Sequence, residues 1–261
     1  MQFKTYPLPG GGGLDVYLRT PAPAMPNALR RPLVLVVPGG GYEHVSAREA
    51  DPVALQFAAA GYHTAVLTYS VGEGARNYQP LRQLSAALAL LREHAEAWGV
   101  LPEQIAVCGF SAGGHLALSG AVLDLPGGEA AAQQRPNAVL LAYPVVTAGE
   151  HAHRGSFVRL SGSEDPADHQ KFTLEDKITP DTPPVFVWHT MEDRTVPVEN
   201  TLLLLSALRR AGVACEAHLF EQGVHGTSIS TAEVDAADRH RARWVTLCLE
   251  WLGRTFGFDL R

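Results

Sequence analysis

A chain of 261 residues with 46% hydrophobic and 18% charged residues holds enough apolar material for one large core, which excludes a disordered segment. Its formal net charge of −6 offers no electrostatic footprint for nucleic acid or for an anionic membrane. Cys108, Cys215 and Cys248 are odd in number and follow no metal-type spacing, so they read as core thiols of a reducing compartment.

The opening "MQFKTYPLPG" lacks a basic stretch followed by an apolar one, and runs such as "TAVLTYSV" are too short to span a bilayer. A cytoplasmic protein is expected. "LDVYLRT" (14–20) alternates like a strand, and "RPLVLVVP" (31–38) is a continuous apolar run, as in a sheet covered on both faces. "DPVALQFAAAG" reads as a helix with Asp51 as N-cap, Pro52 at the first position and Gly61 past the end. "HTAVLTYSV" is the next strand, and Leu81, Leu84, Leu88, Leu91, Ala95 and Trp98 keep helical spacing up to Gly99. Strand "QIAVCGF", helix "SAGGHLALSGAVL", strands "NAVLLAYPV" and "PPVFVWHT", helix "VENTLLLLSALRRAG", strand "CEAHLFEQ" and a closing helix "DAADRHRARWVTLCLEWLG" follow. Such alternation specifies a largely parallel sheet with helices on both faces. No internal repeat and no linker divides the chain, so residues 1–261 are expected to form one domain. The stretch 145–183 fits no regular element and is expected to act as a partial lid.

Gly109-x-Ser111-x-Gly113 lies between a strand and a helix. In such an elbow the serine occupies a strained turn, and the glycines avoid clashes with neighbouring backbone. The hydroxyl then stands at the carboxyl edge of the sheet, where open α/β folds bind ligands. A serine needs a base held by a carboxylate, in the chain order serine, acid, histidine. Asp193 in "WHTMEDRTVP" follows a strand, and His225 in "GVHG" follows the last one. Glu192 competes with Asp193, but turn chemistry favours the aspartate turning back. His189 and His218 fall inside strands and read as satisfied core or face histidines, while His115, one turn beyond Ser111, is expected to pack or hydrogen-bond locally. His151 and His153 look like a metal pair, yet no third ligand of matching spacing follows.

Attack on a carbonyl also needs backbone N–H groups aimed at the developing oxyanion. "PGGGY" (38–42), after an early strand, supplies bare backbone there. Gly40 and Gly41 are assigned as donors together with Ala112, the residue after the serine. The other glycine run, Gly10 to Gly13, precedes a short strand and reads as a turn. No Gly-Lys-Ser/Thr follows either run, so a phosphate loop is rejected.

On "PGGGY", "GFSAGGHLA", "WHTMEDRTVP" and "GVHG", the chain resembles the α/β-hydrolase superfamily, and within it small esterases of the acetylxylan esterase and hormone-sensitive-lipase-like groups. The resemblance implies a mostly parallel sheet of about eight strands and a Ser111–Asp193–His225 triad. It also implies oxyanion donors at Gly40, Gly41 and Ala112, with no cofactor and no metal. Pro38 replaces the usual histidine of the glycine motif, so any bracing by that histidine must come from elsewhere. The short segment before the glycine motif implies no helical cap, hence an open site closer to carbohydrate esterases. The expected activity is hydrolysis of short acyl esters, acetyl groups on sugars or xylo-oligosaccharides foremost, with a small-molecule ester as the partner. A prolyl-oligopeptidase-like peptidase is an alternative that usually carries a propeller domain, and a non-catalytic ligand-binding relative is another. The oligomeric state is not legible, a homodimer being left open.

Overall fold

Strands and helices alternate along the chain for the reason the periodicity gives: each apolar run is short and β-branched, and each amphipathic run is longer and leucine- or alanine-rich. The computed structural model describes residues 1–260. In chain order the elements are β1 (Gln2–Pro7), β2 (Gly13–Leu18), β3 (Arg31–Val37), α1 (Asp51–Ala59), β4 (His63–Thr68), α2 (Gln79–Glu93), α3 (Ala95–Trp98) and β5 (Val100–Phe110). After these come α4 (Ala112–Val122), β6 (Ala138–Ala142), α5 (Arg154–Ser161), α6 (Pro166–His169), β7 (Val185–Thr190), α7 (Glu199–Ala211), β8 (Cys215–Phe220) and α8 (Arg243–Phe256).

The eight strands form one sheet in the order β1-β2-β4-β3-β5-β6-β7-β8. β2 runs antiparallel to β1 and β4, and every other pairing is parallel. Along β3, Leu33, Leu35 and Val37 enter one apolar layer with α2, α4 and α7, while Val34 and Val36 enter another with α1 and α8. The continuous apolar run therefore has a partner on each face. Register does the rest. Val37 pairs with Gly109, Phe110 with Ala142 and Thr190 with Phe220, so the segments after β3, β5, β7 and β8 leave from one edge.

Several local expectations differ from what is observed. β1 was not foreseen, because an exposed edge strand hides its alternation; Gly10 to Gly12, all with positive φ, turn it into β2. Asp51 does not cap α1, since its carboxylate accepts from the Tyr17 hydroxyl at 2.6 Å. The long helix expected up to Gly99 breaks at His94 into α2 and α3, where the His94 ring stacks on Trp98 with centroids 4.5 Å apart. The closing helix starts at Arg243 rather than near Asp235, because the Asp238 side chain takes the N–H groups of His240 and Arg241. Within 145–183 stand α5, α6 and 3-10 turns at Gln170–Phe172 and Glu175–Lys177, each too short to show a period in the sequence. Phe157, Leu160, Phe172 and Leu174 of this stretch are buried.

Candidate active site

Ser111 sits between the last residue of β5 and the first of α4 with φ 54° and ψ −120°, a left-handed conformation that a non-glycine residue adopts only when its surroundings impose it. They do so by close approach of backbone. A Cβ on Gly109 would lie 2.3 Å from the Gly113 carbonyl oxygen, and one on Gly113 would lie 2.2 Å from that of Val37. The Ser111 N–H donates to the Ala142 carbonyl at 3.0 Å, and its carbonyl accepts from Val145 at 3.1 Å. The turn is thereby pinned to β6.

From the same edge come Asp193, after β7, and His225, after β8. Asp193 Oδ2 accepts from His225 Nδ1 at 2.6 Å, which leaves Nε2 to accept from the Ser111 hydroxyl at 2.8 Å. Asp193 Oδ1 accepts from the backbone N–H groups of Thr195 and Val196, both at 2.9 Å. Burial pushes the Asp193 carboxyl upward, but the hydrogen bonds from His189 and His225 outweigh it and hold the group well below the usual carboxylate range. The carboxylate is therefore ionised throughout the neutral range and completely shielded from solvent. His189 is fully buried and satisfied, as expected of a strand histidine, but its Nε2 lies 3.0 Å from the Val196 carbonyl and 3.3 Å from Asp193 Oδ2. Glu192 stands outside this chain of bonds; it accepts from the Gly223 N–H at 3.2 Å at the surface.

The glycine segment lies directly against the serine: a Cβ on Gly39 would come 2.9 Å from that of Ser111. Gly39 donates its N–H to Glu49 Oε2 at 2.8 Å. Gly40 and Gly41 have φ of 121° and 64°, and among the described residues their N–H groups and that of Ala112 donate to no protein acceptor. The bracing that Pro38 cannot give comes from three tyrosines and a glutamate. Tyr69 donates to the Pro38 carbonyl at 2.7 Å, and Tyr42 is 2.9 Å from His115 Nδ1. Glu49 Oε1 accepts from the Tyr143 hydroxyl at 2.6 Å, and that hydroxyl accepts from the Ser228 N–H at 2.9 Å. The Tyr143 ring meets His225 edge-on with centroids 4.9 Å apart.

None of these braces was foreseen: Tyr42 stands in "PGGGY" but has no assigned role there, and Glu49 in "SAREADP" carries no motif. His115 reaches beyond its own helix, with Nε2 donating to the Phe172 carbonyl at 2.8 Å. Burial lowers its pKa to about 4, against that hydrogen bond, and so keeps it neutral. His218 pairs with Glu216 at 3.0 Å, away from the site. Among the described residues no group of three or more His, Cys, Asp or Glu could hold a metal ion, and no helix is long and apolar enough to cross a membrane. A cavity of about 290 Å³ opens over the serine, lined by Gly40, Gly41, Arg48, Ser111, His153 and His225 among others.

Comparison with known proteins places this geometry in a family. A BD-FAE family model matches residues 14–131, and a prolyl oligopeptidase family model matches residues 78–257. Endo-1,4-beta-xylanase B of Butyrivibrio fibrisolvens is 34% identical over 215 residues, 78% of this chain and 34% of the relative. Acetylxylan esterase of Xylanibacter ruminicola is 30% identical over 205 residues, 76% of this chain and 41% of the relative. The chain thus spans less than half the length of either curated relative. The crystal structure of an acetyl ester-xyloside bifunctional hydrolase from Caldicellulosiruptor lactoaceticus superposes with a TM-score of 0.82 at 33% identity, covering 96% of this chain and 90% of that one. With a family model along most of its length and a solved relative superposing over 96% of it, the chain belongs to the α/β-hydrolase superfamily.

Proposed function

We propose that this chain is a serine esterase that hydrolyses short acyl esters, acetyl esters of carbohydrates foremost, through an acyl-enzyme on Ser111. One observation carries the reading: the unbroken run of hydrogen bonds from Ser111 through His225 to a buried, ionised Asp193, at 2.8 and 2.6 Å. His225 Nε2 takes the serine proton as Oγ attacks the ester carbonyl, and Asp193 stabilises the imidazolium that results. The N–H groups of Gly40, Gly41 and Ala112 receive the oxyanion. His225 then gives its proton to the departing alkoxide, and a water activated by the same nitrogen releases the acid. Every step uses groups of this chain.

The preference for acetylated carbohydrate is supported by similarity to an acetylxylan esterase and to a hydrolase of acetyl esters and xylosides. A cavity of about 290 Å³ sits at the small end of ligand pockets, which run from roughly 300 to 1,000 Å³. The test is labelling with a fluorophosphonate, alongside turnover of p-nitrophenyl acetate and of acetylated xylo-oligosaccharide. Ser111→Ala should abolish all three while the thermal midpoint stays put; near-wild-type turnover in that folded variant would sink the mechanism. Peptide hydrolysis is the second reading, favoured by the prolyl oligopeptidase match. Faster cleavage of a prolyl amide than of the matching ester would select it.

A further inference from the structure

His153, considered above only as half of a metal-like pair with His151, lies in the connection between β6 and β7 and lines the cavity with Ser111, His225, Gly40 and Gly41. Its ring closes over one spot. A Cβ on Gly41 would find a single neighbour within 4 Å, the His153 Cε1 at 3.6 Å. The ring is fixed there: Nδ1 is 2.8 Å from the hydroxyl of the fully buried Ser156. Nε2 has no protein partner among the described residues and is left to the cavity. Burial, then the neighbouring His225 and Arg159, lower the His153 pKa and keep the imidazole neutral.

The element that carries it is equally held. α5 is tied to the glycine segment by Arg159 and Glu43 at 2.6 Å, and Phe157 is buried edge-on against His115 with centroids 5.4 Å apart. The wall is thus joined to the segment that follows the glycines by an ion pair and packed on α4 through Phe157.

At a carbonyl carbon bonded to Ser111 Oγ, three substituents remain to be placed. The oxyanion goes to the backbone donors and the leaving oxygen goes to His225 Nε2, which must protonate it. The acyl substituent takes the remaining direction, and the part of the cavity wall beside the donors is formed by Gly41 and His153. Resting on the esterase reading, we propose that His153 is the specificity-determining residue on the acyl side: its ring ends the acyl pocket after two or three carbons, and its free nitrogen favours small polar acyl groups over alkyl chains.

The experiment compares kcat/KM for p-nitrophenyl acetate and p-nitrophenyl butyrate in the wild type, His153→Ala and His153→Phe, with thermal midpoints alongside. Removing the ring should raise the butyrate-to-acetate ratio by roughly tenfold or more, the discrimination that pocket-filling methylenes command. His153→Phe keeps the wall and should hold that ratio at or below the wild-type value, while raising KM for a polar acyl such as glycolyl. Ser156→Ala, which frees the ring, should shift the ratio in the direction of His153→Ala. Ratios within twofold of wild type in both folded His153 variants overturn the proposal and leave the esterase standing. A wild type inert toward both esters and toward a fluorophosphonate overturns the esterase reading, and this one with it.

Discussion

Replacing Asp193 by asparagine tests the hydrogen-bonded run at its most constrained point. Oδ1 accepts two backbone N–H groups at 2.9 Å, so the asparagine carbonyl must stay there; an NH₂ in its place would set donor against donor, at about 1–3 kcal/mol for each group left unpaired. The NH₂ is thereby forced to the position of Oδ2, facing His225 Nδ1. His225 can meet that donor only by giving up its proton at Nδ1 and carrying it on Nε2, where it points at Ser111 and can no longer accept. The fold survives and the base does not. The expected loss in kcat is about 10⁴-fold, or about 5.5 kcal/mol of transition-state stabilisation. Steady-state turnover of p-nitrophenyl acetate near pH 7.5, with a thermal melt, measures it. Turnover within tenfold of wild type at an unchanged midpoint would refute the reasoning. Glu192→Gln should stay within about twofold, since its carboxylate meets only the Gly223 N–H at the surface; a larger loss there than at Asp193 moves the acid by one residue.

The glycine segment should separate stability from rate. A Cβ on Gly40 would lie 2.2 Å from the His44 carbonyl oxygen, so Gly40→Ala should lower the thermal midpoint, whereas Gly41→Val, with only His153 nearby, should lower turnover about a hundredfold through a misplaced donor. Gly11→Val should leave turnover unchanged, and equal losses in the Gly11 and Gly41 variants would make "PGGGY" a mere turn. Glu49→Gln keeps an acceptor for Gly39 or for Tyr143 but not for both, so it should cost about 1–3 kcal/mol in urea unfolding and at least tenfold in kcat; wild-type values for both would remove the brace. His115, held neutral at about 4 against 6.5 unfolded, binds fewer protons in the native state, so its contribution makes stability fall as pH drops from 6.5 towards 4, by about 3 kcal/mol. In His115→Phe the slope of unfolding free energy between pH 7 and 4.5 should flatten, and an unchanged slope would show that other groups set it.

What could be read from the sequence was what is local. Ser111, Asp193 and His225 stand just past strands whose apolar runs are unmistakable, and a parallel sheet brings such positions to one edge whatever lies between them. The covered faces of β3 followed from the same unbroken run. The braces were illegible for the opposite reason: Glu49 touches Gly39, Tyr143 and through it Ser228, contacts that depend on tertiary packing and leave no periodicity. β1 was hidden by its exposure, and α5 and α6 by their length. His189 shows the intermediate case, a strand histidine that is satisfied as expected but whose partner is the acid itself.

Through the Tyr143 hydroxyl, Glu49 links backbone that leaves β3 to backbone that follows β8, nearly two hundred positions apart in the chain. Synthesis runs from the first to the second, so the glycine segment emerges long before the residues that complete its brace. Until Ser228 is in place, Tyr143 lacks the N–H that its hydroxyl accepts, although its own bond to Glu49 joins residues already present. A chain arrested after β8 would therefore lose His225 and the N–H that Tyr143 accepts, while the Gly39–Glu49, Glu49–Tyr143 and Tyr69–Pro38 bonds join segments already made. The glycine segment and its braces thus precede the base, and the last step in assembling the site is made by the final quarter of the polypeptide.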